Sequence, residues 1–380
     1  MSAIYPLALP KGRKLRCELC EAPAERVCRG CMVTYYCDVE HQQVDWVSVH
    51  ETICQLLIPL RTSLPFFNSE EERKHGMEQL SLRQKHLIEV TRKLAQKFLF
   101  ERKYEESLPA ALHSLRFSIN VYGLNSIELV PAYLLLAEAN IGLSRIIQAE
   151  EFLSQAQWTL LKSPECSDAT LSKLHRNFGF LNVAKGNDDE SLYHFANDIY
   201  YASCAYGMEN INTAGEYFHM ANVFRRQNKM DVADSLYAKV IEIWREHLGN
   251  LIELQLESLK IPHDILEKEM EPDEGYLDET QETEAVQVLT AILDVRVRAA
   301  KQQPLKTAHV LHALAMLHYL MVDLPKAQEF ATQASLLTEQ LGNQGESETI
   351  QKLLRLIKSK QAVTEKPKLL SRGIANERLS

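Results

Sequence analysis

Six of the eight cysteines lie between Cys17 and Cys54, and two histidines share that stretch. They fall in four pairs: Cys17-x2-Cys20, Cys28-x2-Cys31, Cys37-x3-His41 and His50-x3-Cys54. Two intervening residues let one tight turn aim both thiolates at a single ion, and an i, i+4 pair shares one face of a helix. Eight ligands fill two tetrahedral zinc sites with no position left for water, so both sites are expected to be closed and structural. A stretch of 38 residues buries too little apolar surface to fold alone, and the metal is expected to supply most of its folding free energy. Cys166 and Cys204 stand apart from the cluster, and such clustering points to metal binding in a reducing compartment rather than to disulfides.

Together with Tyr36, Gln42 and Trp46, the four pairs resemble the MYND-type zinc finger over residues 17–54. The resemblance implies an interleaved pairing, with one zinc on Cys17, Cys20, Cys37 and His41 and the other on Cys28, Cys31, His50 and Cys54. Two features depart from the family's pattern. The sixth ligand is usually cysteine and here is His41, and Trp46-x3-His50 is one residue longer than the common form, which is expected to shift the helix carrying His50. Members of this family bind proteins, often short proline-containing peptides. Gln42 and Trp46 are therefore candidate peptide contacts, with packing inside the finger as the alternative for Trp46.

The rest of the chain carries an internal period of 42 residues. Small residues recur at Ser107, Ala149, Ser191 and Ala233, and twelve positions upstream at Ala95, Ala137, Gly179 and Ala221. Small residues at fixed places on two helices allow close approach, and the pattern resembles the tetratricopeptide repeat, whose usual period is about 34. Glycines on the same lattice, Gly123, Gly207 and Gly249, are expected to stop each second helix, with Pro164-Glu165 as a different stop in the second repeat. The pattern slips by ten residues and resumes at Ala285, leading to Ala327. About six helix hairpins follow, with an acidic insertion at 264–284 holding ten Asp/Glu and one Lys, expected to be a solvated loop inside the fifth repeat.

The expected organisation is an all-α chain: a basic arm at 1–16, the two-zinc finger at 17–54 and a linker at 55–75. An α-solenoid of repeats at 76–345, a capping helix at 346–360 and a mobile tail at 361–380 complete it. Histidines such as His113, His194 and His312 stand singly in helical stretches and read as packing or surface residues.

Composition narrows the function. The net charge is -9, and residues 1–54 hold six basic against seven acidic residues before the thiolates and zinc ions add a further negative charge. A nucleic-acid partner is therefore not expected. No uninterrupted apolar run of about 18 residues suggests a membrane helix. The first residues lack the charge-then-apolar order of a signal peptide, so a cytoplasmic location is expected. A MYND-containing methyltransferase would need strands around the finger and an Asn-His-Ser-Cys type motif, and nothing after Cys54 reads Asn-His-Ser. The expectation is a non-enzymatic scaffold without a small-molecule substrate and with two structural Zn2+ ions. By its resemblance to finger-plus-repeat proteins of motile cilia and flagella, its partners would be axonemal, dynein-associated or other repeat proteins; a nuclear corepressor adaptor is the alternative.

Overall fold

The computed structural model describes residues 2–3, 15–62, 69–163, 166–258, 276–299 and 303–376, with side chains from 15 to 362. The chain divides into two compact units, Met1–Ala205 and Tyr206–Ser380. The finger and paired helices dominate the first, and further paired helices make up the second, stacked as in an α-solenoid.

The finger holds three short antiparallel strands, β1 (Ser2–Ala3), β2 (Arg26–Val27) and β3 (Tyr35–Tyr36), in that order. The start of the expected basic arm is thus a strand, with Ser2 opposite Val27 and Ala3 opposite Arg26. Lys11, Arg13 and Lys14 lie outside the described residues. Helix α1 (Val39–Asp45) starts at Asp38, whose side chain accepts from His41 N. It continues as one π-helical turn, Trp46–His50, into α2 (Glu51–Ile53). A π turn absorbs one extra residue without breaking the helix. The longer Trp46-x3-His50 spacing is accommodated in this way, and His50 and Cys54 still share a helix face.

In the first unit the hairpins are α4 (Glu70–Phe100) with α5 (Tyr104–Tyr122), α6 (Val130–Gly142) with α7 (Ile146–Leu161), and α8 (Asp168–Lys185) with α9 (Asp188–Tyr206). In the second, α10 (Ile211–Arg226) pairs with α11 (Met230–Ser258), and α13 (Pro304–Leu320) pairs with α14 (Leu324–Gln340). Helix α12 (Glu279–Val297) packs on α13, and α15 (Gln344–Asn376) packs on α14. Side-chain caps start several of them: Ser69 accepts from Glu72 N and Ser167 from Thr170 N. The lattice of small residues is the contact surface. Ser107, Ala149, Ser191, Ala233, Ala95, Ala137 and Ala221 are all fully buried. A Cβ on Gly179 would meet the Phe195 ring at 2.5 Å.

A second set of positions with the same period closes each hairpin. Arg102, Ser144, Gly186 and Asn228, spaced by 42, all have positive φ, as does Val322. At each, the next residue's N–H reaches back to a carbonyl of the last helical turn, as in Lys103 N to Phe98 O and Asn187 N to Asn182 O. Only one of the five is glycine, so composition alone does not mark them.

Several expected boundaries are corrected. Gly123 and Gly207 have positive φ, but Gly249 lies inside α11, which runs unbroken to Ser258. Buried Ile241, Trp244, Leu248 and Ile252 continue one apolar stripe across it, and their burial outweighs the roughly 1 kcal/mol helix penalty of a glycine. Residues 279–284 of the acidic insertion are helical and not loop, because Asp278 and Gln281 form a capping box and Glu279 and Glu282 suit the helix start. The remainder up to 275, like Pro164 and Glu165, lies outside the described residues. The linker is largely structured: α3 (Ile58–Arg61) follows the finger, and α4 already begins at Glu70. Helix α15 continues beyond Lys360 through the expected tail to Asn376. Its residues 358–366 contain neither glycine nor proline, and Pro367 and Gly373 lie inside the helix beyond them.

Within the first unit, Val49 and Ile53 of the finger and Leu57 just after it share one core with Leu87, Ile88, Ala110 and Ala111 of the first hairpin. The finger is docked on α4 and α5 and not tethered to them. Among the described residues no helix is long and apolar enough to cross a membrane.

Candidate metal centre and partner groove

Strand β3 and the start of α1 bring Cys37 and His41 to the turn holding Cys17 and Cys20. The π turn and α2 bring His50 and Cys54 to Cys28 and Cys31. In each set the four ligand atoms lie within 4.8 Å of one another. A zinc–sulfur bond of about 2.3 Å gives tetrahedral edges of about 3.8 Å between sulfurs, slightly less to nitrogen. Cys20 and Cys37 Sγ are 3.6 Å apart, and Cys28 and Cys54 Sγ 3.9 Å. Cys17 Sγ is 3.6 Å from His41 Nδ1, and Cys31 Sγ 3.6 Å from His50 Nε2. The one short edge is 2.9 Å, from Cys37 Sγ to His41 Nδ1. The donor sets therefore fit two closed zinc sites, each of three thiolates and one imidazole, and the pairing is the interleaved one.

Each site joins a lowered thiol to a raised one: burial, with Asp38 and the neighbouring sulfurs, pushes Cys37 up, and burial, with Cys31 and Cys28, pushes Cys54 up, while Cys17 and Cys31 are brought down. Burial pushes the Cys17 thiol up, but backbone N–H groups of Cys20, Cys37 and Leu19 outweigh it and bring the thiol to about 7. Cys31 is likewise brought to about 6 by His50, Thr34 and the Val33 backbone against its burial. A thiol so lowered surrenders its proton to the metal readily near neutral pH.

A buried network that the sequence reading missed surrounds the sites. Asp45 is fully buried; Tyr36 Oη donates to its Oδ2 at 2.5 Å, and His113 Nε2 lies 2.9 Å from its Oδ1. His50 turns Nε2 toward Cys31, and its Nδ1 lies 3.6 Å from Asp45 Oδ2, beyond hydrogen-bond distance. Burial alone would raise the Asp45 carboxyl, but the hydrogen bond and charge of His113, with Tyr36, hold it below the ordinary aspartate value. Glu18 is held down in the same way, against its burial, by Arg61, His113 and Arg116. Arg61 forms a forked pair with it at 2.7 and 2.9 Å. His113, read from sequence as packing or surface, is buried between the two carboxylates. An isolated histidine in a helical pattern gives no hint of a partner 68 residues away.

Of the candidate peptide contacts, Gln42 is buried, and its Oε1 meets no donor among the described residues. Trp46 is half-buried against the cysteine cluster, its ring 5.7 Å from that of His50. The exposed apolar residues of that helical run are Val39, Val44 and Val47. His194 is not solitary either, because its Nδ1 lies 3.0 Å from that of His175.

Residues 17–54 match the MYND finger family. Within the curated proteins, a 38-residue stretch is 42% identical to the Rho GTPase-activating protein gacZ of Dictyostelium discoideum. That stretch is 10% of this chain and spans only 4% of the length of that relative. Among solved structures, the chain is similar to BtubC (BKLC) from P. vanneervenii at 14% identity and a TM-score of 0.32, covering 64% of this chain and 92% of that one.

The second unit holds a groove of about 1150 Å³ between α11, α13 and α15. Ile252, Leu256, Met316, Leu353 and Leu356 give it an apolar floor. Lys239, Glu242, Arg245, Glu246 and Glu253 line it from α11, Arg296 from α12, Lys306 from α13, and Lys352 and Arg355 from α15. At its base Arg245 bridges Glu346, at 2.8 Å, and His312, at 3.4 Å. Burial, reinforced by Arg245, pushes His312 down to about 4, so it is neutral at physiological pH. Sequence periodicity could not reveal this groove, since it depends on where α15 lies against α11.

Proposed function

We propose that the chain is a non-enzymatic adaptor that joins protein partners through its groove and its finger. The observation that carries this reading is the groove, with an apolar floor and a charged, mainly basic lining, the surface that an amphipathic partner segment would fill. The MYND finger supports the same class of function, because such fingers mediate protein–protein contacts and the two zinc sites here are closed to substrate. The whole chain, finger first and long repeats after, resembles the vertebrate zinc finger MYND domain-containing protein twelve. On that resemblance the adaptor acts in the cytoplasm of cells bearing motile cilia or flagella, with axonemal or dynein-associated partners. Affinity purification from multiciliated or spermatogenic cells, with the wild-type chain beside Lys352→Glu/Arg355→Glu and Leu356→Asp variants, tests both parts. Axonemal or dynein components retained by wild type and lost with the groove variants are expected. Unchanged capture by the variants removes the groove reading, and absence of axonemal components removes the ciliary one.

A further inference from the structure

The network around His113 touches both metal sites. Glu18 lies between the ligands Cys17 and Cys20, and Asp45 lies five residues ahead of the ligand His50. His113, on α5 of the first hairpin, stands between them, with Nε2 2.9 Å from Asp45 Oδ1 and Nδ1 3.7 Å from Glu18 Oε1. On the same helix, Arg116 donates to the backbone carbonyl of Glu18 and lies 3.5 Å from its carboxylate. Ser48, within the π turn that carries His50, donates to the Glu106 carbonyl of α5 at 2.5 Å. The His50 ring, Asp45, His113 and Glu18 thus stand in line toward the turn holding Cys17 and Cys20, joined by one hydrogen bond, His113 to Asp45, and by two longer charge contacts at 3.6 and 3.7 Å.

Each loaded site, with three thiolates and one divalent ion, carries a net charge of −1. A buried carboxylate beside such a site is repelled unless donors hold it in place. Asp45 is fully buried there and Glu18 mostly so, and the donors that fix them come partly from a helix outside the finger.

We propose that the first repeat forms the outer shell of both zinc sites, with His113 the positioning residue that couples them. Asp45 can orient the His50 ring only while His113 and Tyr36 hold it, and Glu18 can steady the Cys17–Cys20 turn only while the α5 side chains hold it. Outer-shell partners of zinc ligands change metal affinity by about 10- to 100-fold when removed. Finger and first repeat are then one cooperative metal-binding unit.

The test is a chelator titration of the full zinc-loaded chain, followed by native mass spectrometry and by the rate of zinc release. The wild-type chain passes from two zincs to none without an accumulating one-zinc form. With His113→Ala, the one-zinc form accumulates, and release at fixed chelator is at least about tenfold faster. His113→Gln retains an amide N–H for Asp45 and restores slow release of one zinc only. Gly179→Ala, which disturbs the third hairpin through the Phe195 ring, releases zinc at the wild-type rate. The proposal is overturned if His113→Ala releases zinc as slowly as wild type, or if Gly179→Ala speeds release as much as His113→Ala. A one-zinc form that accumulates in the wild-type chain overturns it too. Should His113→Ala fail to fold, equal release of both zincs from His113→Gln refutes the coupling.

Discussion

Replacing Leu57 with alanine separates a tethered finger from a docked one. Leu57 follows the last zinc ligand and falls in a stretch that reads as linker, where truncating an exposed side chain would change stability by no more than about 0.5 kcal/mol. In the structure it is fully buried, in one core with Val49, Ile53, Leu87, Ile88 and Ala111. Leu→Ala at such a site removes the transfer free energy of the side chain and leaves a cavity, for a loss of about 2–5 kcal/mol. In a unit of this size each kcal/mol moves the melting temperature by about 2–4 °C, so a loss near 3 kcal/mol lowers it by about 6–12 °C. The assay is scanning calorimetry of the full chain with metal analysis, because Leu57 ligates nothing and zinc content should stay at two per chain. Leu161→Ala, at a site 76% exposed, serves as the control and is expected to shift the transition by less than about 2 °C. A Leu57→Ala melting point within the range of that control would refute docking of the finger on the first repeat.

Other outcomes follow from the same geometry. Cys28→Ser should abolish its own zinc site and, through the coupling, weaken zinc retention at the other, read by metal analysis. Because the finger shares its core with α4 and α5, it should also loosen the first hairpin, seen as faster amide hydrogen exchange near Leu87 and Ala111; on the linker reading the repeats would be untouched. Asp198 is raised by burial, against the opposing charge of Arg176 and the Ser172 hydroxyl, to about 6 in the folded chain from 3.8. The native state therefore holds the proton to higher pH than the unfolded chain, and the stabilisation present below pH 4 is lost as pH rises through 6. Urea midpoints across that window should report a loss of up to about 3 kcal/mol in the first unit, and Asp198→Asn should flatten the slope. Val322 has φ 62 and is 58% exposed, and a left-handed β-branched residue costs about 1–2 kcal/mol. Val322→Gly, after the glycine entropy penalty of about 0.5–1 kcal/mol, should raise the stability of the second unit slightly; a lowered melting point would contradict the strain.

The sequence by itself was enough for whatever depends on local spacing. The four ligand pairs are readable because a CxxC turn or an i, i+4 helix pair meets one ion whatever surrounds it. The 42-residue lattice is readable because every close helix contact needs a small residue at the same place, and the buried alanines and serines show where those contacts fall. Left-handed turn residues on the same lattice escaped notice because arginine, serine, asparagine and valine can be forced into that conformation by the closing hydrogen bonds. Gly249 misled because burial of the stripe through Trp244 and Leu248 outweighs a glycine's helix penalty. Only the tertiary structure decided that the finger rests on the first repeat, that His113 sits between Asp45 and Glu18, and that α11, α13 and α15 leave a groove. Each of these joins residues tens of positions apart. Such contacts follow from which apolar faces meet, and no pattern within a single segment records that.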